Sequence, residues 1–156
     1  ARAMAALDAV LAEEWEGRAD GLPFDDPYEA LILASVVEKE TAVPAERPLI
    51  AGVFVSRLEK GMRLQTDPTV IYGIGPEFDG DIRRADLERD TPYNTYTRHG
   101  LPPTPIAMVG REAIRAVLHP EATDMLFFVS KGDGTHQFSR TLAEHEAAVR
   151  QYQLGR

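Results

Sequence analysis

The run from Leu31 to Thr41, LILASVVEKET, is an apolar segment that finishes in two carboxylates, Glu38 and Glu40. A carboxyl group performs acid–base chemistry near neutral pH only where its surroundings disfavour the charged form. If the run is helical, Leu33, Val36 and Val37 lie seven, four and three residues before Glu40, which puts all four side chains on one stripe. Glu40 is therefore expected to be partly desolvated, with a raised pKa, and able to give a proton to a leaving group. Glu38 follows Ala34 and Ser35 and is expected on a more polar flank. The competing reading is that Glu40 simply closes a helix and turns its head into solvent.

Two further stretches carry groups suited to sugars. Met62 to Tyr72, MRLQTDPTVIY, offers Gln65, Thr66 and Asp67 in succession, and Asp90 to Pro105, DTPYNTYTRHGLPPTP, offers Tyr93, Asn94, Thr95 and Tyr96. Amides and hydroxyls bind hydroxyl and acetamido groups, and aromatic faces stack on the C–H surfaces of sugar rings. Each stretch also has a plainer reading as turn chemistry, with Asp67 as a helix cap, Asn94 in an Asx turn and the tyrosines as half-buried hydrophobes. Other chemistries find no support. His99, His119, His136 and His145 never fall in an HxxxH or HExxH spacing, so no metal and no cofactor is expected. No GxSxG elbow surrounds a serine and no phosphate-cradling glycine loop precedes a helix.

The elements that would position these residues are mostly helical. Ala1 to Trp15 carries Met4, Leu7, Val10 and Leu11 at helical spacing, and a chain opening inside such a helix reads as a domain from a longer protein. Ala45 to Lys60 repeats the pattern with Leu49, Ile50, Val53, Phe54 and Leu58, and Gly61 is placed to cap it. Asp67-Pro68 reads as an N-cap with proline at the first helical position of a short helix that Gly73 stops. Arg111 to Leu118 is a further helix. Met125 to Ser130 and Thr135 to Phe138, joined by a Lys-Gly-Asp-Gly turn, form a hairpin, and Thr141 with Glu144 is a capping box for a last helix showing Leu142, Val149 and Tyr152. The result is an α+β domain dominated by helices, with loops at 73 to 80, 90 to 105 and 131 to 135 stiffened by proline.

The chain has 156 residues, 44% of them hydrophobic and 27% charged, which suits a single domain with a sizeable core. Its formal charge of −8, without a Lys/Arg cluster, argues against nucleic acid and anionic membrane surfaces as partners. No apolar stretch approaches the roughly 20 residues of a membrane span, and no signal peptide is expected in the chain. With no cysteine, disulfides and thiolate metal sites are excluded, but either redox compartment fits.

Four segments in order, VEKETAV, RLEKGMRLQTDPTVIYGIG, TPYNTYTRHGLPPTPIA and HPEATDMLFFVSKGDGTHQFS, resemble the catalytic domain of the endolytic murein transglycosylases of the MltG (YceG-like) family. The resemblance runs from about Trp15 to the C-terminus, so residues 1–156 are read as one such domain with a lysozyme/transglycosylase-like fold. It implies cleavage of peptidoglycan glycan strands between N-acetylmuramic acid and N-acetylglucosamine, leaving a 1,6-anhydro-muramyl end. It also implies a parent protein held in the bacterial inner membrane by an N-terminal helix, with a LysM-like segment and the catalytic domain on the periplasmic face. Peptidoglycan synthases and division proteins are implied partners. The family's functional glutamate falls in the VEKET motif and carries to Glu40, in agreement with the helical-face argument.

One acid suffices for the chemistry. Protonated Glu40 gives its proton to the glycosidic oxygen, the substrate's acetamido group meets the developing positive charge, and the carboxylate so formed takes the proton of the C6 hydroxyl as it attacks C1. Gln65, Thr66, Asp67, Tyr93, Asn94, Thr95 and Tyr96 are assigned to holding the sugars. Glu38 and Asp67 are the candidates for a second carboxylate if the domain is a muramidase that uses water. A non-catalytic glycan-binding module is the remaining alternative.

Overall fold

A computed structural model describes residues 2–154, with side chains from residue 5 to residue 153. It is mainly helical, with one small sheet. Seven α-helices are described: α1 (Arg2–Glu16), α2 (Pro27–Glu40), α3 (Arg47–Glu59), α4 (Asp67–Ile74), α5 (Arg84–Glu88), α6 (Arg111–Leu118) and α7 (Leu142–Val149). Two strands, β1 (Phe127–Ser130) and β2 (His136–Ser139), pair antiparallel, with Phe128 opposite Phe138 and Ser130 opposite His136. A π-helical turn, Arg150–Leu154, continues from α7.

α2 is the axis of the fold. Asp26 caps it by accepting from the Glu29 N–H at 3.0 Å, and Pro27 supplies a first residue that needs no donor. The helix starts four residues before the apolar run used to predict it, because the cap precedes the hydrophobic pattern. Residues 30 to 37 are all buried, Ala34 and Ser35 among them, as α1, α3, α4 and α6 pack around the helix. A helix apolar all round is a core helix rather than a surface one. Leu33, Val36 and Val37 join Ile50 and Phe54 of α3 and Ile114, Val117 and Leu118 of α6 in the central cluster. Ser35 earns its buried place by accepting from the Ile106 N–H at 2.9 Å while donating to the Ile32 carbonyl, which ties the proline-rich loop to α2.

α3 ends at Gly61, whose φ of 71° lets the Met62 N–H turn back to the Arg57 carbonyl. The same helix comes very close to the chain after α6: a Cβ placed on Gly52 would lie 2.2 Å from the Glu121 carbonyl oxygen. Of the residues expected on the inner face of the first helix, Leu11 is buried and Leu7 and Val10 pack against the cluster, while Ala1 and the side chain of Met4 fall outside the described residues. Leu142, expected to mark the inner face of the last helix, is 56% exposed, and Ala148 is the buried residue of α7. The capping box of Thr141 and Glu144 forms as predicted. α5 carries no hydrophobic period long enough to be read from sequence and is held by a local Asp86 contact to the Arg83 N–H. Among the described residues no helix is long and apolar enough to cross a membrane.

Candidate active site

Glu40 is the last residue of α2, where the helix leaves the core. Thr41 turns the chain into an extended conformation, and its hydroxyl accepts from the Val43 N–H. The backbone therefore stops beside a cavity of about 300 Å³ that Glu40 lines with residues from three other parts of the chain. Residues Leu64 to Asp67 form one wall, Phe128 to Ser130 and His136 of the hairpin another, and Arg57, His145 and Tyr96 complete the surround.

The carboxyl of Glu40 accepts from the Thr66 hydroxyl at 2.9 Å. Its pKa is raised to about 7, first by desolvation and further by the nearby charge of Asp67, against opposing contributions from the Thr66 hydrogen bond and from His136. At neutral pH the protonated and ionised forms are both populated, as a group that must give and take a proton requires. Glu38 is held elsewhere. It accepts from the Gly110 N–H at 2.9 Å, with Arg47 4.0 Å away, and does not line the cavity. The predicted contrast between an apolar face and a polar flank is corrected accordingly: Ala34 and Ser35 are buried too, and what separates the two glutamates is where they emerge and what meets them.

Asp67 is not the cap of α4. Thr66 is the N-cap, Asp67 the first helical residue and Pro68 the second. Thr66 makes no side-chain capping bond, because its hydroxyl is turned to Glu40. Gln65, one residue earlier, has φ of 52°, the only positive value at a non-glycine position among the described residues. A side chain held in the left-handed region is strained by roughly 1–3 kcal/mol, and such strain collects at ligand-binding positions. The Gln65 N–H donates to the Thr95 carbonyl, and its side-chain oxygen lies 3.5 Å from Arg57 Nη1. The Tyr96 hydroxyl donates to Asp67, and desolvation together with the charge of Asp67 pushes the phenol's pKa up, so it remains a donor.

The other three residues expected to hold sugars lie away from the cavity. Asn94 is 1% exposed; its amide N–H groups go to the carbonyls of Leu87 and Arg89, and its oxygen accepts from the Tyr96 and Thr97 N–H groups. Thr95 is buried behind the site, accepting from the Thr66 N–H at 3.0 Å and meeting the Thr69 hydroxyl at 2.9 Å. Tyr93 packs on Tyr72 at 4.9 Å and shares a hydrogen bond with Thr104. Asn94 and Thr95 position Tyr96 and Thr66; they offer no free polar group to the cavity.

Arg57, His136 and His145 line the cavity and were not singled out from sequence. Arg57, 6% exposed, donates from Nε to the Leu126 carbonyl and from Nη1 to the Arg63 carbonyl, both at 2.7 Å, and stacks over Phe127. An arginine inside an otherwise apolar helical pattern was the available signal. His145 stacks on Phe127, and burial lowers its pKa.

The sequence profile of the YceG-like family matches residues 1–151. The chain belongs to the YceG-like family. Among its relatives, the endolytic murein transglycosylase of Bacillus subtilis is 46% identical over 125 residues, 80% of this chain and 34% of that protein. The endolytic murein transglycosylase of Streptococcus pneumoniae is 34% identical over 130 residues, 80% of this chain and 23% of that protein. A YceG-like protein of Listeria monocytogenes has a crystal structure that superimposes with a TM-score of 0.76 at 38% identity, over 93% of this chain and 44% of that one. This YceG-like chain thus spans about a third or less of the length of the curated relatives it matches.

Proposed function

We propose that this YceG-like domain cleaves peptidoglycan glycan strands as a lytic transglycosylase, with Glu40 as the general acid. The observation that carries the reading is a single desolvated carboxyl, Glu40, hydrogen-bonded by Thr66 in a cavity and brought to a pKa of about 7. The names of the relatives in Bacillus subtilis and Streptococcus pneumoniae support the substrate and reaction class. Protonated Glu40 gives its proton to the oxygen between N-acetylmuramic acid and N-acetylglucosamine. The acetamido group of the substrate meets the charge at C1, and the C6 hydroxyl closes the 1,6-anhydro ring as the Glu40 carboxylate takes its proton. An intramolecular hydroxyl outcompetes water through its high effective concentration. Gln65, Thr66, Asp67 and Tyr96 are the residues placed to hold the sugars, with Tyr93, Asn94 and Thr95 supporting them from behind.

Cell-wall glycan lies outside the cytoplasm, so the domain acts on the outer face of the bacterial inner membrane, with peptidoglycan synthases and division proteins as its partners in the parent protein. Hydrolysis is the second reading, favoured by one observation: the carboxylate of Asp67 is near enough to influence Glu40 and could serve a water nucleophile. The test of the acid is cleavage of purified glycan strands by Glu40→Gln and Glu38→Gln. Loss of cleavage in the first with retention in the second is expected; the reverse pattern would reassign the acid.

A further inference from the structure

Across the cavity from the Glu40–Thr66 pair stands a second proton-handling group whose parts come from opposite ends of the chain. Glu46, in the single 3₁₀ turn Pro44–Glu46 before α3, grips the first residue of β2 twice: its Oε2 accepts from the His136 backbone N–H and its Oε1 meets His136 Nδ1, both at 2.9 Å. The imidazole is wedged edge-on against Phe128, with Phe138 on another side, leaving its side chain 9% exposed. Among the described residues no protein group partners Nε2, and the residue lines the same cavity as Glu40.

The grip fixes the tautomer. A carboxylate offers only acceptors, so the Nδ1 facing Glu46 carries a proton, and in the neutral ring Nε2 presents a lone pair. That is the arrangement by which a carboxylate orients an imidazole as a base. We propose that His136, oriented by Glu46, is the general base that takes the proton of the attacking C6 hydroxyl. Glu46 is its positioning residue. The proposal deepens the transglycosylase reading and rests on it.

The step balances. The bond from muramyl C1 to the glycosidic oxygen breaks as Glu40 gives that oxygen its proton, and the bond from C1 to O6 forms as the O6 proton passes to Nε2. Glu40 ends ionised and His136 ends as imidazolium, so the cavity's net charge is unchanged. A proton returning from His136 to Glu40, directly or through solvent, resets the site. The ionised Glu40 left in a desolvated place is then met by a positive charge in the same cavity, and the favourable influence of a charged His136 on ionised Glu40 has the sign this requires. The charged or titratable groups around His136 are Glu46, from the turn before α3, and Glu40, at the end of α2.

The experiment measures kcat, KM and product ends for the unaltered domain, His136→Gln, His136→Ala and Glu46→Gln, with melting temperatures for each. Loss of a general base costs about a hundredfold or more in kcat. His136→Gln is expected to lose that much with KM within about threefold, and added imidazole should restore part of the activity of His136→Ala. Glu46→Gln places an amide N–H against Nδ1, favours the wrong tautomer and should lower kcat with little change in KM. Retention of kcat within about threefold in His136→Gln would overturn the inference, as would a loss that only tracks melting temperature and resists imidazole. Reducing ends from the unaltered domain would overturn the transglycosylase reading; anhydro ends together with an unimpaired His136→Gln variant would overturn this inference alone.

Discussion

Replacing Glu40 with Gln tests the desolvated acid without any assumption about substrate. The variant keeps an oxygen to accept from the Thr66 hydroxyl, so the fold loses the charge and little else. The folded-state pKa is about 7 against a model value of 4.5. The folded protein therefore binds more protons than the unfolded chain between those values, and wild-type stability falls as pH rises through that window. Below about pH 4.5 both states are protonated and Glu40 costs nothing; above pH 7 both are ionised and the cost is complete. A difference of 2.5 units at about 1.4 kcal/mol per unit sets the size at roughly 3 kcal/mol, as an upper figure because Glu40 keeps part of its surface open to the cavity. For a chain of 156 residues that corresponds to roughly 6–12 °C in melting temperature. Thermal melts of both proteins from pH 4 to pH 8 should show curves that nearly coincide in acid and separate toward neutrality, with the Gln variant the more stable. Comparing the two proteins cancels the titration of every other group. A Gln variant less stable at pH 8, or a difference independent of pH, would show that ionised Glu40 is well satisfied and would refute the reasoning.

Thr66→Val removes the one hydrogen bond that lowers the pKa of Glu40, so the titration of the Glu40 carboxyl followed by NMR should move up by about one unit, the value of a hydrogen bond to a charged group. Asn94→Ala leaves two backbone carbonyls and two N–H groups without their buried partner and should cost on the order of 3 kcal/mol in denaturant melts, with activity falling in parallel. Gly52→Ala forces a methyl within 2.2 Å of the Glu121 carbonyl and should lower the melting temperature markedly, with no effect on the pKa of Glu40. Glu38→Gln keeps an acceptor for the Gly110 N–H and should leave both strand cleavage and Glu40 titration near wild type.

Helix periods and caps made most of the fold legible. The segments around α2, α3, α6, the hairpin and the capping box of α7 all follow from local pattern, and Glu40 on the stripe of Leu33, Val36 and Val37 was readable from spacing alone. The site was half legible. Gln65, Thr66, Asp67 and Tyr96 line the cavity as their types suggested, but Tyr93, Asn94 and Thr95 have the same types and serve the backbone instead. Composition cannot separate these roles, since an amide that satisfies a loop and one that binds a sugar look alike until their partners are placed. Arg57 and His136 escaped for a different reason. Their partners Leu126 and Glu46 are 69 and 90 residues away, so only the folded chain brings the pairs together.

The central claim is that one desolvated glutamic acid cleaves the strand without adding water. A mass spectrum of glycan strands after incubation with this domain reads that claim directly, with Glu40→Gln as the control. Fragments ending in anhydro-muramic acid, lighter by one water and resistant to borohydride reduction, are the predicted products, and they should be missing with the Gln variant. Reducing ends that borohydride converts, or fragments that persist when Glu40 is replaced, would contradict it.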